Sequence, residues 1–153
     1  MVLDDINAKE KFLFHLEWLL ALEQRYFHIL QSGLVHIAYD PKDVQGLTFG
    51  AGDAAQRLGE VMVCLKQAFR STDLVMREGM NFWILTPFTQ LDPVMEKVKK
   101  VITTAPKNGL DIAKSDIGIF LMRDYMKPES PAFKSGAEFL NFLLSQKKPL
   151  PVI

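Results

Sequence analysis

The order of elements along the chain predicts an α+β domain. A long first helix is followed by strand, helix, strand, strand, helix, strand and a last short helix, so the part after the first helix follows the βαββαβ order of a split-βαβ, ferredoxin-like sheet with flanking helices. Two observations carry this: apolar runs of strand length bounded by turn residues, and helical stretches of 3.6-residue periodicity between them. A third is size, because 153 residues with 48% apolar content suit one domain with one well-filled core and not two. Residues 1–31 are read as the N-terminal helix, part of the domain or leading into it, and residues 32–153 as the domain itself.

From about Ala8 to Gln31 the chain lacks Gly and Pro and is rich in Leu, Glu, Lys and Gln, which predicts one long helix. Asp5 or Asn7 is the expected N-cap and Ser32-Gly33 the stop. Leu13, Leu16, Leu20 and Phe27 make one apolar stripe, and Phe14, Trp18 and Leu22 make another on a different side. Two covered faces are therefore expected, one on the domain core and one on a partner protein or a second copy. Leu34 to Tyr39 is an apolar run between Gly33 and Asp40-Pro41, the pattern of a buried strand. After a polar loop, Gly52 to Phe69 predicts a helix with Leu58, Val61, Met62, Leu65 and Phe69 on one face. Leu74 to Met76 and Phe82 to Leu85 predict a hairpin turning through Arg77-Glu78-Gly79-Met80-Asn81. A helix from Thr89 or Asp92 to Thr104, a strand around Ile117 to Phe120 and a helix from Ser135 to Gln146 complete the order, and Lys127 to Pro131 is the one linker-like stretch.

Composition excludes several classes. Eighteen basic residues balance eighteen acidic ones, which argues against a polymer-binding nucleic-acid protein and against a disordered tail. The single cysteine, Cys64, cannot form an internal disulfide, and a reducing compartment is expected. The acidic N-terminus is unlike a signal peptide, and no run approaches roughly 18 uncharged apolar residues, so a cytoplasmic chain without a membrane span is expected. His15, His28 and His36 are scattered, with no Cys pair, so no zinc site and no other metal or cofactor is expected. His36, within a strand, reads as a packed or hydrogen-bonded residue, and Cys64, between Val63 and Leu65, as a buried inert thiol. Asp40 stands at a strand end, where a carboxylate can hold Mg²⁺ or open a turn before Pro41.

Three segments carry a family resemblance: Phe49-Gly50-Ala51-Gly52-Asp53 opening a helix, Arg70-Ser71-Thr72-Asp73 before the hairpin, and Glu78-Gly79-Met80-Asn81-Phe82 running into an apolar strand. From about Phe12 to Phe120 the chain resembles a GGDEF domain, the diguanylate cyclase family, and Ser115-Asp116-Ile117-Gly118 resembles its later Ser-x-Gly strand with one extra residue. The resemblance implies a nucleotide-cyclase-like sheet and a bacterial signalling role. It also implies that the second acidic residue of the hairpin binds metal and serves catalysis; here that position is Asn81, which cannot act as a base. Met80 holds the preceding acidic position, and Glu78 stands where a glycine would let backbone approach phosphate. Asp40 and Asp53 are retained as a vestigial nucleotide and metal site, but the loop between them is shorter than the family's and lacks its guanine-contacting Asn. Phosphoryl transfer depends on metal positioning and charge neutralisation, so a degenerate, inactive cyclase site is expected.

The Arg-x-x-Asp of Arg70 and Asp73 matches the place where the family forms an inhibitory site for cyclic di-GMP. Arg offers bidentate contacts to phosphate or guanine and Asp accepts from a guanine edge. The same two residues also suit a helix C-terminal charge and a strand-entry cap. The resemblance thus implies a cyclic di-GMP receptor or scaffold acting on a protein partner. The alternative is a ligand-free module that dimerises through Phe14, Trp18 and Leu22, and an active cyclase is opposed by Glu78 and Asn81.

Overall fold

The computed structural model of the chain describes residues 2–26, 31–39, 51–87, 91–104, 115–125 and 133–146. They form α1 (Val2–Arg25), β1 (Gly33–Tyr39), α2 (Ala51–Ala68), β2 (Leu74–Glu78), β3 (Asn81–Thr86), α3 (Leu91–Thr104), β4 (Ser115–Leu121), a 3₁₀ turn (Met122–Tyr125) and α4 (Gly136–Gln146). The strands make one antiparallel sheet in the order β2-β3-β1-β4. This is the split-βαβ topology that the element order predicts.

Helices cover both faces of the sheet, which is why β1 and β3 read as unbroken apolar runs. On one face Val35, Ile37, Phe82 and Ile84 pack with Leu58, Val61 and Leu65 of α2 and with Val94 and Val98 of α3. On the other, Leu34, Trp83 and Leu85 pack with Phe12, Leu16 and Leu19 of α1 and with Phe139 and Leu143 of α4. The register sets this division, since Val35 lies opposite Ile84 while His36 lies opposite Trp83. Cys64 is half-buried against the first core.

Several element bounds differ from the sequence expectation. The first helix begins at Val2, so Asp5 and Asn7 lie inside it and not at the N-cap position; no breaker separates them from the helix formers that follow. Its last regular bond runs from the Tyr26 N–H to the Leu22 carbonyl at 2.8 Å, and aromatic and β-branched residues begin there, where helix propensity falls. Gly33 opens β1 and is not the helix stop, while Phe27 lies outside the described residues. The inward face of α1 carries Phe12, Leu16, Leu19 and Leu20, with Leu13 only half-buried. The hairpin is tighter than expected, because β2 continues through Arg77 and Glu78.

The start of α4 follows from its Ser-x-x-Glu sequence. Ser135 Oγ accepts the Glu138 N–H at 3.1 Å, and Glu17 of α1 accepts the Gly136 N–H at 2.8 Å, so a cap and a helix–helix contact share one helix end. A Cβ on Gly136 would sit 3.2 Å from a Leu16 methyl, which explains the glycine at this crossing.

Glu23, on the inward face of α1, is fully buried. Burial pushes its carboxyl above the ordinary value of 4.5, outweighing the opposing effects of hydrogen bonding by Ser32 and the charge of Arg123. A raised folded value means that the destabilisation is absent below the unfolded value and grows as pH rises through and beyond it. Glu23→Gln is therefore expected to melt above wild type near neutral pH, with the gap closing as pH falls toward 4.5. Thermal melts of both proteins across that range check this; a gap independent of pH would contradict it.

Candidate functional site

The helix α2 ends where the Phe69 ring turns into the core, its N–H bonded to the Leu65 carbonyl at 3.1 Å. Residues Arg70 to Asp73 then turn the chain into β2. Asp73 closes this turn twice: its N–H donates to the Arg70 carbonyl at 2.9 Å, and its Oδ2 accepts the Arg70 N–H at 2.9 Å. The Asp73 side chain is 1% exposed and that of Arg70 53%. The guanidinium is held loosely, with Nε 3.6 Å from Asp73 Oδ2 and a terminal nitrogen donating to the Pro87 carbonyl at 3.4 Å. Asp73 Oδ1 is buried and has no hydrogen-bond partner among the described residues. An unpaired carboxylate oxygen in such a place is costly. The residue itself borders a cavity of about 320 Å³ that Lys11, Lys66 and Arg70 also line.

At the hairpin, Gly79 has φ 63° at the first position of a two-residue turn, where a type II′ turn places glycine. Each neighbour is engaged within the chain. Glu78 pairs with Lys9 of α1. Met80 packs against the first core, and its carbonyl accepts the Tyr39 N–H at 3.1 Å. Asn81 Oδ1 accepts from His36 Nε2 at 3.0 Å, and the buried His36 ring lies 4.5 Å from the centre of Trp83. Phe82 is fully buried with its ring edge-on to Tyr39, whose phenol burial pushes up to about 12, with Cys64 adding to the shift. Thus His36 is packed and hydrogen-bonded, as its position in a strand suggests. Asp40 lies outside the described residues, and Asp53 falls in α2 where side chains are outside the description. Among the described residues no three His, Cys, Asp or Glu side chains gather as metal ligands. Asn81 can donate and accept hydrogen bonds but cannot carry a proton away.

On α1, Phe14 and Trp18 are 68% and 55% exposed, while Leu22 is half-buried against the second core. The stripe Phe14, Trp18, Leu22 is therefore split between surface and core. The same helix passes the Arg70 turn, and a second cavity of about 560 Å³ lies between them, lined by Lys11, His15 and Trp18 on one side and Arg70, Ser71 and Thr72 on the other. Lys11 and His15 are the residues that sequence reasoning missed; their four-residue spacing with Trp18 three further on was the available signal. No described helix is long and apolar enough to cross a membrane.

Solved structures similar to this chain are GGDEF domains. The GGDEF domain of DgcB from Caulobacter crescentus, in complex with c-di-GMP, matches with a TM-score of 0.62 and 15% identity over 83% of this chain and 74% of that one. Diguanylate cyclase SiaD from Pseudomonas aeruginosa, in complex with its activator SiaC, matches with a TM-score of 0.61 and 18% identity over 90% of this chain. The match spans 55% of the length of that structure. The active GGEEF domain of a diguanylate cyclase from Vibrio cholerae matches with a TM-score of 0.59 and 13% identity over 72% of each chain. No protein-family model matches the sequence, and no curated protein does. At these identities the likeness is one of fold, and the chain has the GGDEF-like α+β fold.

Proposed function

We propose that this chain is a catalytically inactive GGDEF-like signalling domain that receives cyclic di-GMP at Arg70 and Asp73 and thereby regulates or scaffolds a partner protein. The observation that carries this is the buried Asp73 carboxylate with one oxygen unpaired, beside a half-exposed and loosely held Arg70 in a cavity wall. A ligand that donates N–H groups and carries phosphate would satisfy both at once. The DgcB GGDEF domain, similar in fold, is in complex with c-di-GMP, and SiaD is in complex with an activator protein.

Inactivity rests on the hairpin. Asn81 and Met80 supply no carboxylate, and Glu78 pairs with Lys9 at the surface. A phosphoryl-transfer site needs metal-held charge at the reacting oxygens, and Asn81 and Met80 cannot provide it. Calorimetric titration of the full chain with cyclic di-GMP tests the receptor role. Saturable heat is expected from wild type and its loss from Arg70→Ala; no heat at hundreds of micromolar ligand defeats the proposal.

The exposure of Phe14 supports a second role, a module that pairs through α1 without a ligand. Light scattering of wild type and Phe14→Glu tests it: a dimer that the variant splits supports pairing, and monomers in both exclude it.

A further inference from the structure

The two cavities share Lys11, Arg70, Ser71 and Leu74 in their walls, so Lys11 of α1 and the Arg70 turn border both. Lys11, His15 and Trp18 stand on one face of that helix. The floor of the larger cavity is apolar, made by Leu19, Leu74 and Leu85. No acidic side chain is among the residues lining it. The Lys11 carbonyl accepts a hydrogen bond from His15 Nδ1 at 2.8 Å, which fixes the proton on that nitrogen and orients the ring. Trp18 keeps more than half its surface exposed, although an indole is a large apolar group.

We propose that α1 forms the second half of the ligand site: Trp18 stacks on a base, while Lys11 acts with Arg70 on phosphate. The ligand class is a purine nucleotide phosphate, because the wall combines a flat aromatic face, clustered cationic groups and an apolar floor. This rests on the proposal that the Arg70–Asp73 turn receives a nucleotide, and it adds that the bound ligand ties α1 to that turn.

Fluorescence and calorimetric titrations of the full chain with cyclic di-GMP, 5′-GMP and inorganic phosphate test it. Only Trp18 is exposed, since Trp83 is buried in the second core. Saturable quenching is expected with both nucleotides and none with phosphate. Trp18→Ala should abolish the quench and weaken nucleotide binding about tenfold or more, Trp18→Phe should retain most of the affinity, and Lys11→Ala should weaken it by about threefold to tenfold. Matching thermal melts establish that the variants are folded. If Arg70→Ala abolishes cyclic di-GMP binding while Trp18→Ala and Lys11→Ala bind like wild type, the role of α1 is overturned and the receptor proposal stands. If 5′-GMP quenches Trp18 saturably and cyclic di-GMP gives no heat, the receptor proposal for cyclic di-GMP falls and the α1 site stands. No heat and no quench with any of the three overturns both.

Discussion

Arg70→Ala is expected to weaken cyclic di-GMP binding by about ten- to a hundredfold, the effect of losing one or two charge-assisted hydrogen bonds, while changing folding stability by no more than about 0.5 kcal/mol. The side chain is 53% exposed, and its protein contacts are long, 3.4 Å to the Pro87 carbonyl and 3.6 Å to Asp73. Its backbone N–H, which holds the turn, is untouched by the substitution. Asp73→Ala should behave differently: it removes the acceptor of that N–H from a buried position and should cost about 1–3 kcal/mol as well as affinity. Urea unfolding beside calorimetry separates the two. Equal losses of stability in both variants would contradict the division of labour between a ligand-facing Arg70 and a turn-holding Asp73.

The largest effect on stability is expected at Phe82. This ring is fully buried between the central strands and α2, with Tyr39 edge-on at 6.1 Å between centroids. Phe82→Ala should cost about 3–5 kcal/mol, a large share of the roughly 5–15 kcal/mol that holds a domain folded. Phe14→Ala, by contrast, alters a ring that is 68% exposed and should stay within about 0.5 kcal/mol of wild type. Urea midpoints of the two variants check the contrast. A Phe82→Ala protein as stable as wild type would contradict the packing of the hairpin strand in the core.

Much of the fold was legible in the sequence because its strongest signals are local. The run from Leu34 to Tyr39 needs only its length and its flanking turn residues to read as a buried strand, and Gly79 marks the hairpin by the φ it must adopt. The bounds of α1 were less legible. Nothing local separates Asp5 as a cap from Asp5 inside a helix, and the inward face was read through Leu13 when Phe12 and Leu19 are the buried residues. Of the candidate site, Arg70 and Asp73 were visible as a motif, since three-residue spacing across a turn is itself local. The approach of Lys11 and His15 to Arg70 was not, because it depends on how α1 crosses β2, a contact between residues some sixty positions apart along the chain. Glu23 escaped in part for the same reason: Arg123 on the 3₁₀ turn, whose charge acts on it, is a hundred positions away in sequence.

The hairpin joins fold to function. The GGDEF-like sheet places Asn81 at the start of β3, bonded to His36 of β1, and Glu78 against Lys9 of α1. The proposed inactivity takes these contacts as side chains engaged with the protein itself, and it assigns ligand chemistry to the Arg70 turn. Incubation of the full chain with GTP and Mg²⁺ or Mn²⁺, with the products separated by chromatography, tests this most directly. No cyclic di-GMP above the protein-free blank is expected, while steady product formation would contradict the assignment of the hairpin as catalytically inert.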